Sequence, residues 1–246
     1  MCTLVLAWQV FADTPVAVAA NRDEQVDRPS EPPQLIDDEP AVVAPLDAEA
    51  GGTWIGHNEH GLFAGITNRW TDADLAGDRS RGLLVRDVLR QESAEDAARF
   101  VESEVRDHEF DGFNLVVADA NAAVYLEWDG QFAVRNFQPG VHVVVNVGAD
   151  GDVRIPEERA EAGRQQAENA GAVRTALQPE PGERAGEWME RAADVISDHE
   201  YGVCVHEDHF GTRSSSLVTI GPEGSRHRFA DGPPCETEYR RVESQL

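Results

Sequence analysis

Apolar residues run almost unbroken through LVLAWQVF at the head of the chain, turn at ADTP and return as VAVAA. Short apolar runs on either side of turn residues predict a buried hairpin, one that delivers the tetrapeptide NRDE at its far end. The proline-rich SEPPQLIDDEP that follows reads as a surface loop. GGTWIGHN and GLFAGITN are a second pair of strand-like runs joined at NEHG, where Gly61 suits the positive φ of a tight turn.

From Arg81 to about Arg106 the apolar period lengthens. Leu84, Val85, Val88 and Leu89, then Ala97, Ala98, Val101 and Val105, recur at helical spacing and predict two helices. Strands resume in FNLVVAD, VYLEWD, QFAVRNF and VHVVVN, the middle two turning at Asp129-Gly130. Helical pattern returns between about Pro156 and Asp198, broken near PEPG, and the chain closes on strand-like YGVCVHE, SSLVTIG and SRHRFA. This alternation of blocks predicts sheet layers covered by helices rather than βαβ units. A single domain over 1–246 is expected, with about 230–246 as a tail.

Charge narrows the setting. The 46 Asp and Glu residues face 21 basic residues, every one arginine, for a formal net charge of −25. Acidity spread over the whole chain suits a protein kept in solution by concentrated salt, where the Debye length falls to about 3 Å at 1 M. A halophilic, cytoplasmic protein is therefore expected. The same field repels phosphate backbones and anionic bilayers, which argues against nucleic acid and membrane partners. No apolar run reaches the ~18 residues of a membrane span and no basic, apolar leader precedes the first strand, so neither membrane insertion nor export is expected. Cys2, Cys204 and Cys235 are an odd number without metal-type spacing, so free thiols in a reducing compartment are expected.

Cys2 admits two readings. It is a small buried hydrophobe at a strand start, or, with Met1 removed, it carries both a thiol nucleophile and an α-amino base. An amine of pKa ~8 is suited to taking the proton of a thiol near ~8.5. NRDE can likewise be a hydrated turn whose Asn and Asp bond their own backbone. Gly51, Gly52 and Gly56 read as strand and turn glycines, since no helix follows at the spacing of a phosphate cradle. His206 and His209 with Cys204, in CVHEDHF, are metal-ligand types, but their spacing matches no familiar zinc signature. No metal or cofactor is expected. Trp54 and Trp70 flank the candidate site loops and are the tryptophans expected to line a pocket.

Together with the Met-Cys start, AANRDEQVDRP, GGTWIGHNEHGLFAGITN and HFGTRSSSLVTI closely resemble the NRDE family, the transport and Golgi organization protein 2 homologues, from Met1 to about Phe229. The same landmarks resemble, more distantly, the N-terminal-nucleophile hydrolases of the penicillin V acylase and bile-salt hydrolase group. The resemblance implies an α+β fold, a four-layer αββα sandwich with its active site at one edge of the packed sheets. It implies Cys2 as nucleophile, Asp23 as the acid orienting the α-amino group, and Asn21 as the asparagine of an R-N-x-D motif. It further implies Asn68 as the backbone oxyanion donor, Asn146 as a side-chain donor, and Arg213 as a cation that lowers the thiol pKa. Two departures are visible. Ala20 stands where the motif has arginine, so that Arg22 takes over its work or substrate recognition differs, and VGADGDVRIP follows Asn146 in place of a proline-tryptophan stretch.

The function so implied is cysteine amidohydrolysis of a non-peptide C-N bond in a small-molecule amide or acyl-containing ligand. The alternative is a non-catalytic protein that binds and traffics haem or a lipid or acyl-CoA on the same scaffold, since a fold does not fix a function. A redox role for Cys2 ranks last, for want of a resolving thiol in the sequence.

Overall fold

The computed structural model describes residues 2–243 and Leu246. The predicted first hairpin is present as β1 (Thr3–Phe11) and β2 (Thr14–Gln25). Then follow β3 (Ser30–Asp38), β4 (Ala41–Asp47), β5 (Ile55–Asn58) and β6 (Phe63–Asn68), helices α1 (Arg81–Val88) and α2 (Ala94–Asp107), and strands β7 (Phe113–Ala118), β8 (Ala123–Trp128), β9 (Phe132–Asn136) and β10 (Gly140–Val145). Short strands β11 (Gly148–Ala149) and β12 (Asp152–Val153) precede α3 (Ala160–Ala176) and α4 (Ala185–Ser197). The chain ends with β13 (Phe210–Gly221), β14 (Gly224–Ala230) and β15 (Arg240–Arg241).

Two antiparallel sheets result. β3 to β9 form one in simple sequence order, and the other runs β12-β11-β10-β1-β2-β13-β14-β15. Their inner faces meet in an apolar layer that includes Leu4, Leu6, Val18, Phe63, Val116 and Val218. On the outside of the first sheet, Leu84, Val85 and Val88 of α1 and Ala97 and Val101 of α2 pack over Leu115, Val117 and Leu126. α3 and α4 cover the other sheet, Val173, Trp188 and Ile196 lying on Val5, Ala17 and Val143. The arrangement is the four-layer αββα sandwich. β1, buried along most of its length, owes its uniform hydrophobicity to having one sheet face on α3 and α4 and the other on the opposing sheet.

Several expectations are corrected. SEPPQLIDDEP is not a loop but holds the whole of β3, an edge strand where prolines that cannot donate to a ladder are tolerated, and the register slips between Glu31 and Gln34 around them. β4 had no counterpart in the predicted elements. NRDE is not a hydrated turn: Asn21, Arg22 and Asp23 lie inside β2 and are buried. YGVCVHE is no strand but a single 3₁₀ turn, His199–Tyr201, and a loop carrying one isolated bridge, His206 to Gly211. The supposed tail is packed. β15 pairs with β14, the Tyr239 hydroxyl lies 2.7 Å from Ser215 Oγ, and Val242 is buried with Val43 and Phe229. No helix among the described residues is long and apolar enough to cross a membrane.

Candidate active site

The pairing register decides which residues can meet. Thr3 lies opposite Asn21 on one side and Val145 on the other, so the start of β1 is flanked by the NRDE end of β2 and by Asn146 just past β10. β6 of the opposing sheet ends at Asn68 on the same edge, and the two sheets are tied there by side chains. Asn114 Nδ2 donates to Val145 O at 2.9 Å and to Thr67 Oγ1 at 3.1 Å, and Asn146 Nδ2 donates to Asn68 O at 2.7 Å.

Cys2 sits at this junction. Its backbone nitrogen donates to Asn146 Oδ1 at 3.1 Å, an acceptor also held by Gln166 Nε2 of α3 at 2.8 Å, and its sulfur lies 3.6 Å from Asp23 O. With both of its oxygen's donors in place and one amide hydrogen on Asn68, Asn146 is fixed as a bridge between the Cys2 backbone and Asn68. Asp23 accepts from Thr212 Oγ1 at 2.5 Å, and Thr212 in turn accepts from Val205 N at 2.9 Å. Burial lifts the Asp23 carboxyl to about 6, against the pull of Thr212 and Arg22.

A cavity of about 740 Å³ opens over these groups. Cys2, Asp23, Asn68 and Asn146 line it, joined by Trp70 and by the arginines Arg69, Arg81 and Arg159. Arg69 is 4% exposed, pairs with Glu127 at 3.2 Å, and finds no hydrogen-bond partner for Nε or Nη1 among the described residues. Arg81 donates to Gly112 O at 2.8 Å from the first turn of α1. Neither arginine carries a local motif, so periodicity and spacing could not have singled them out. Thr212 and Gln166 were missed for the same reason.

Three expected roles change. Asn21 points away from the cavity: its Nδ2 donates to Ile196 O at 2.8 Å and Val203 O at 2.9 Å, clamping the end of α4 and the following loop onto β2. Arg213 is the extra residue of a bulge, since Thr212 pairs with Asp23 and Ser214 with Arg22, and it lines neither of the two cavities that Cys2 touches. Arg22 is the cation beside the thiol. It shares a strand face with Ala20, two residues away, and lies against Trp54 at 4.1 Å in a small recess lined also by Cys2, Ala20 and Ser214. The thiol is nevertheless not held as thiolate. Burial pushes its pKa up, the Asp23 charge pushes the same way, and the amino-terminal charge, the Asp23 backbone and, least of these, Arg22 oppose them without prevailing. Trp54 and Trp70 both line cavities at the site, as expected. Removal of Met1 concerns a residue outside those described.

The sandwich, with its edge site, has the architecture of the N-terminal-nucleophile hydrolases. Penicillin V acylase from Agrobacterium tumefaciens superposes with a TM-score of 0.58 at 17% identity, over 94% of this chain and 83% of that one. The Caenorhabditis elegans orthologue of N-acylethanolamine-hydrolyzing acid amidase gives 0.59 at 14% identity, over 88% and 92%. At these identities the likeness is one of fold. Sequence carries the assignment further: residues 1–231 match the Transport and Golgi organisation 2 family, and the chain belongs to it. The Bos taurus transport and Golgi organization protein 2 homologue is 26% identical over 231 residues, 84% of this chain and 82% of that protein.

Proposed function

We propose that the protein is a cysteine amidohydrolase whose nucleophile is Cys2, freed as the N-terminal residue by loss of Met1, and whose substrate is a small molecule with a non-peptide amide. One observation carries the reading: Cys2 lines the cavity while its own backbone nitrogen is held by Asn146 Oδ1, beside buried Asp23. In the processed chain that nitrogen is the α-amine. It takes the thiol proton as sulfur adds to the amide carbon, so a buried, protonated thiol is the resting state the chemistry starts from. The oxyanion so formed is met by Asn68 N-H and the remaining Asn146 Nδ2 hydrogen. Collapse breaks the C-N bond, the leaving amine receives the proton, and water hydrolyses the thioester to release the acid. Arg69 and Arg81, facing the cavity, suit a substrate with a carboxylate or another anionic group.

Acyl-enzyme trapping by mass spectrometry tests this on wild type and Cys2→Ala side by side, with a panel of N-acyl amines and thioesters. An adduct on Cys2 that forms and decays is expected, with none on the variant, whose fold is retained because little apolar area is lost. No adduct across the panel, together with tight haem or acyl-CoA binding that survives Cys2→Ala, would show instead a binding protein on the same scaffold.

A further inference from the structure

Some way along the chain from Cys2 in sequence, four side chains of metal-ligating type converge from three segments. His199 belongs to the 3₁₀ turn after α4, Cys204 and His206 to the loop before β13, and Cys235 to the segment after β14. Their ligand atoms all lie within 4.8 Å of one another. Cys204 Sγ is 3.5 Å from Cys235 Sγ and 3.6 Å from His206 Nε2, and His206 Nε2 is 3.1 Å from Cys235 Sγ. The His199 and His206 rings are 5.1 Å apart between centroids.

We propose that His199, Cys204, His206 and Cys235 bind one zinc ion. Zn-S bonds of about 2.3 Å and Zn-N bonds of about 2.0 Å at tetrahedral angles require ligand atoms roughly 3.3 to 3.8 Å apart; the separations of 3.5 and 3.6 Å from Cys204 meet this, the 3.1 Å between His206 and Cys235 is slightly short, and His199 lies within 4.8 Å of the rest, so small side-chain movements complete the shell. Two thiolates and two neutral imidazoles balance the ion's charge, and binding releases the two thiol protons. With four protein ligands the shell is closed, which makes the ion structural rather than catalytic. His209, a candidate from the sequence, is not in the cluster, whereas His199 and Cys235 are. The interval of about 30 residues between Cys204 and Cys235 is why no familiar signature appears.

The ion has a definite task. The loop it closes supplies Glu207 and Phe210 to the wall of the main cavity, and through Val205 and Thr212 it reaches Asp23. Metal at this place ties the C-terminal segment to that loop and holds the wall in position without touching Cys2.

The test uses the full chain purified under reducing conditions without chelator. Elemental analysis is expected to find one zinc per chain, falling to background in Cys235→Ser and in His199→Ala. His199→Ala alters an exposed side chain, and its fold is checked by circular dichroism. Replacement by Co²⁺ should give tetrahedral d-d bands with a thiolate charge-transfer band, both retained in Cys2→Ser. Any one of these results would overturn the proposal: no zinc retained after dialysis against ZnCl₂, zinc retained equally by a Cys204→Ser/Cys235→Ser double variant, or an octahedral cobalt spectrum. A Cys204–Cys235 disulfide in protein that binds no cobalt after reduction counts against it equally.

Discussion

At Asp23 burial and charge pull in opposite directions. A carboxyl that is 5% exposed keeps its ionised form at a cost, and its pKa stands at about 6 against an ordinary 3.8. Between those values the folded state binds a proton that the unfolded chain does not. Stability therefore falls as pH rises from about 4 to 6 and stays lower above, by about 3 kcal/mol for a shift of this size. Asp23→Asn removes the charge and keeps an acceptor for Thr212. Its melting temperature is expected to exceed that of wild type above pH 6 and to converge on it below pH 4, as scanning calorimetry of both proteins across pH would show. A difference that is constant with pH would mean that Asp23 carries no such penalty. Of the candidate site, family motifs in the sequence pointed to Cys2, Asp23, Asn68 and Asn146, and the structure places these four around one cavity. The motifs could not assign Asn21 and Arg213 correctly, because the pleat turns Asn21 toward α4 and a one-residue bulge displaces Arg213, and neither is visible in a motif.

Elements show the same division between what pattern conveys and what packing adds. Hairpins with strong turn residues, and helices with clear period, follow from the hydrophobic pattern. β3 does not, because its prolines belong to a loop by propensity and to an edge strand by position. The 199–209 segment is not a strand: it opens with a 3₁₀ turn that ends at Gly202 in the left-handed region, and side chains hold two of its carbonyls, Asn21 that of Val203 and Asn169 that of Gly202. Glycines mark where elements press together. A Cβ on Gly52 would come within 2.3 Å of the backbone of Gly82 in α1, and Thr53 N donates to Gly82 O at 3.0 Å across the same contact. Backbone against backbone has no side chain to give way. Gly52→Ala is therefore expected to destabilise by about 1–3 kcal/mol and to lower the melting temperature by roughly 2–4 °C per kcal/mol. In contrast, Gly171 in α3 has open space around a Cβ, and Gly171→Ala is expected to raise stability by about 0.5–1 kcal/mol. Thermal melts of the pair decide the matter, and equal effects of one sign would refute the close-approach argument.

For the molecule as a whole, packing and charge act against each other. The described residues leave Val26, Leu35 and Val134 as the exposed large hydrophobics, so the two sheets and four helices keep nearly all of their large apolar side chains at least partly inside. That interior must hold together a body of net charge −25. Some of the charge is locally relieved. Arg28 meets Asp47 at 2.7 Å, Arg90 meets Asp37 at 3.0 Å, and Arg191 meets Glu183 at 2.7 Å. Pairs at the surface contribute only about 0–1 kcal/mol each, these being half-exposed at most, and 21 arginines cannot neutralise 46 acids. At 0.01 M salt the Debye length of about 30 Å lets the excess carboxylates repel one another across the molecule, whereas at 1 M it shrinks to about 3 Å and only near neighbours interact. Salt weakens the arginine pairs as well, but the unpaired acids outnumber them, so the net effect of screening is stabilising. The melting temperature is expected to climb steadily from millimolar to molar KCl, with a matching rise in the denaturant midpoint. Replacing KCl by an equally concentrated neutral osmolyte should not reproduce the low-salt part of the climb, because it supplies no screening ions. A melting temperature unchanged between the two salt extremes would show that the acidic surface serves some purpose other than stability in brine.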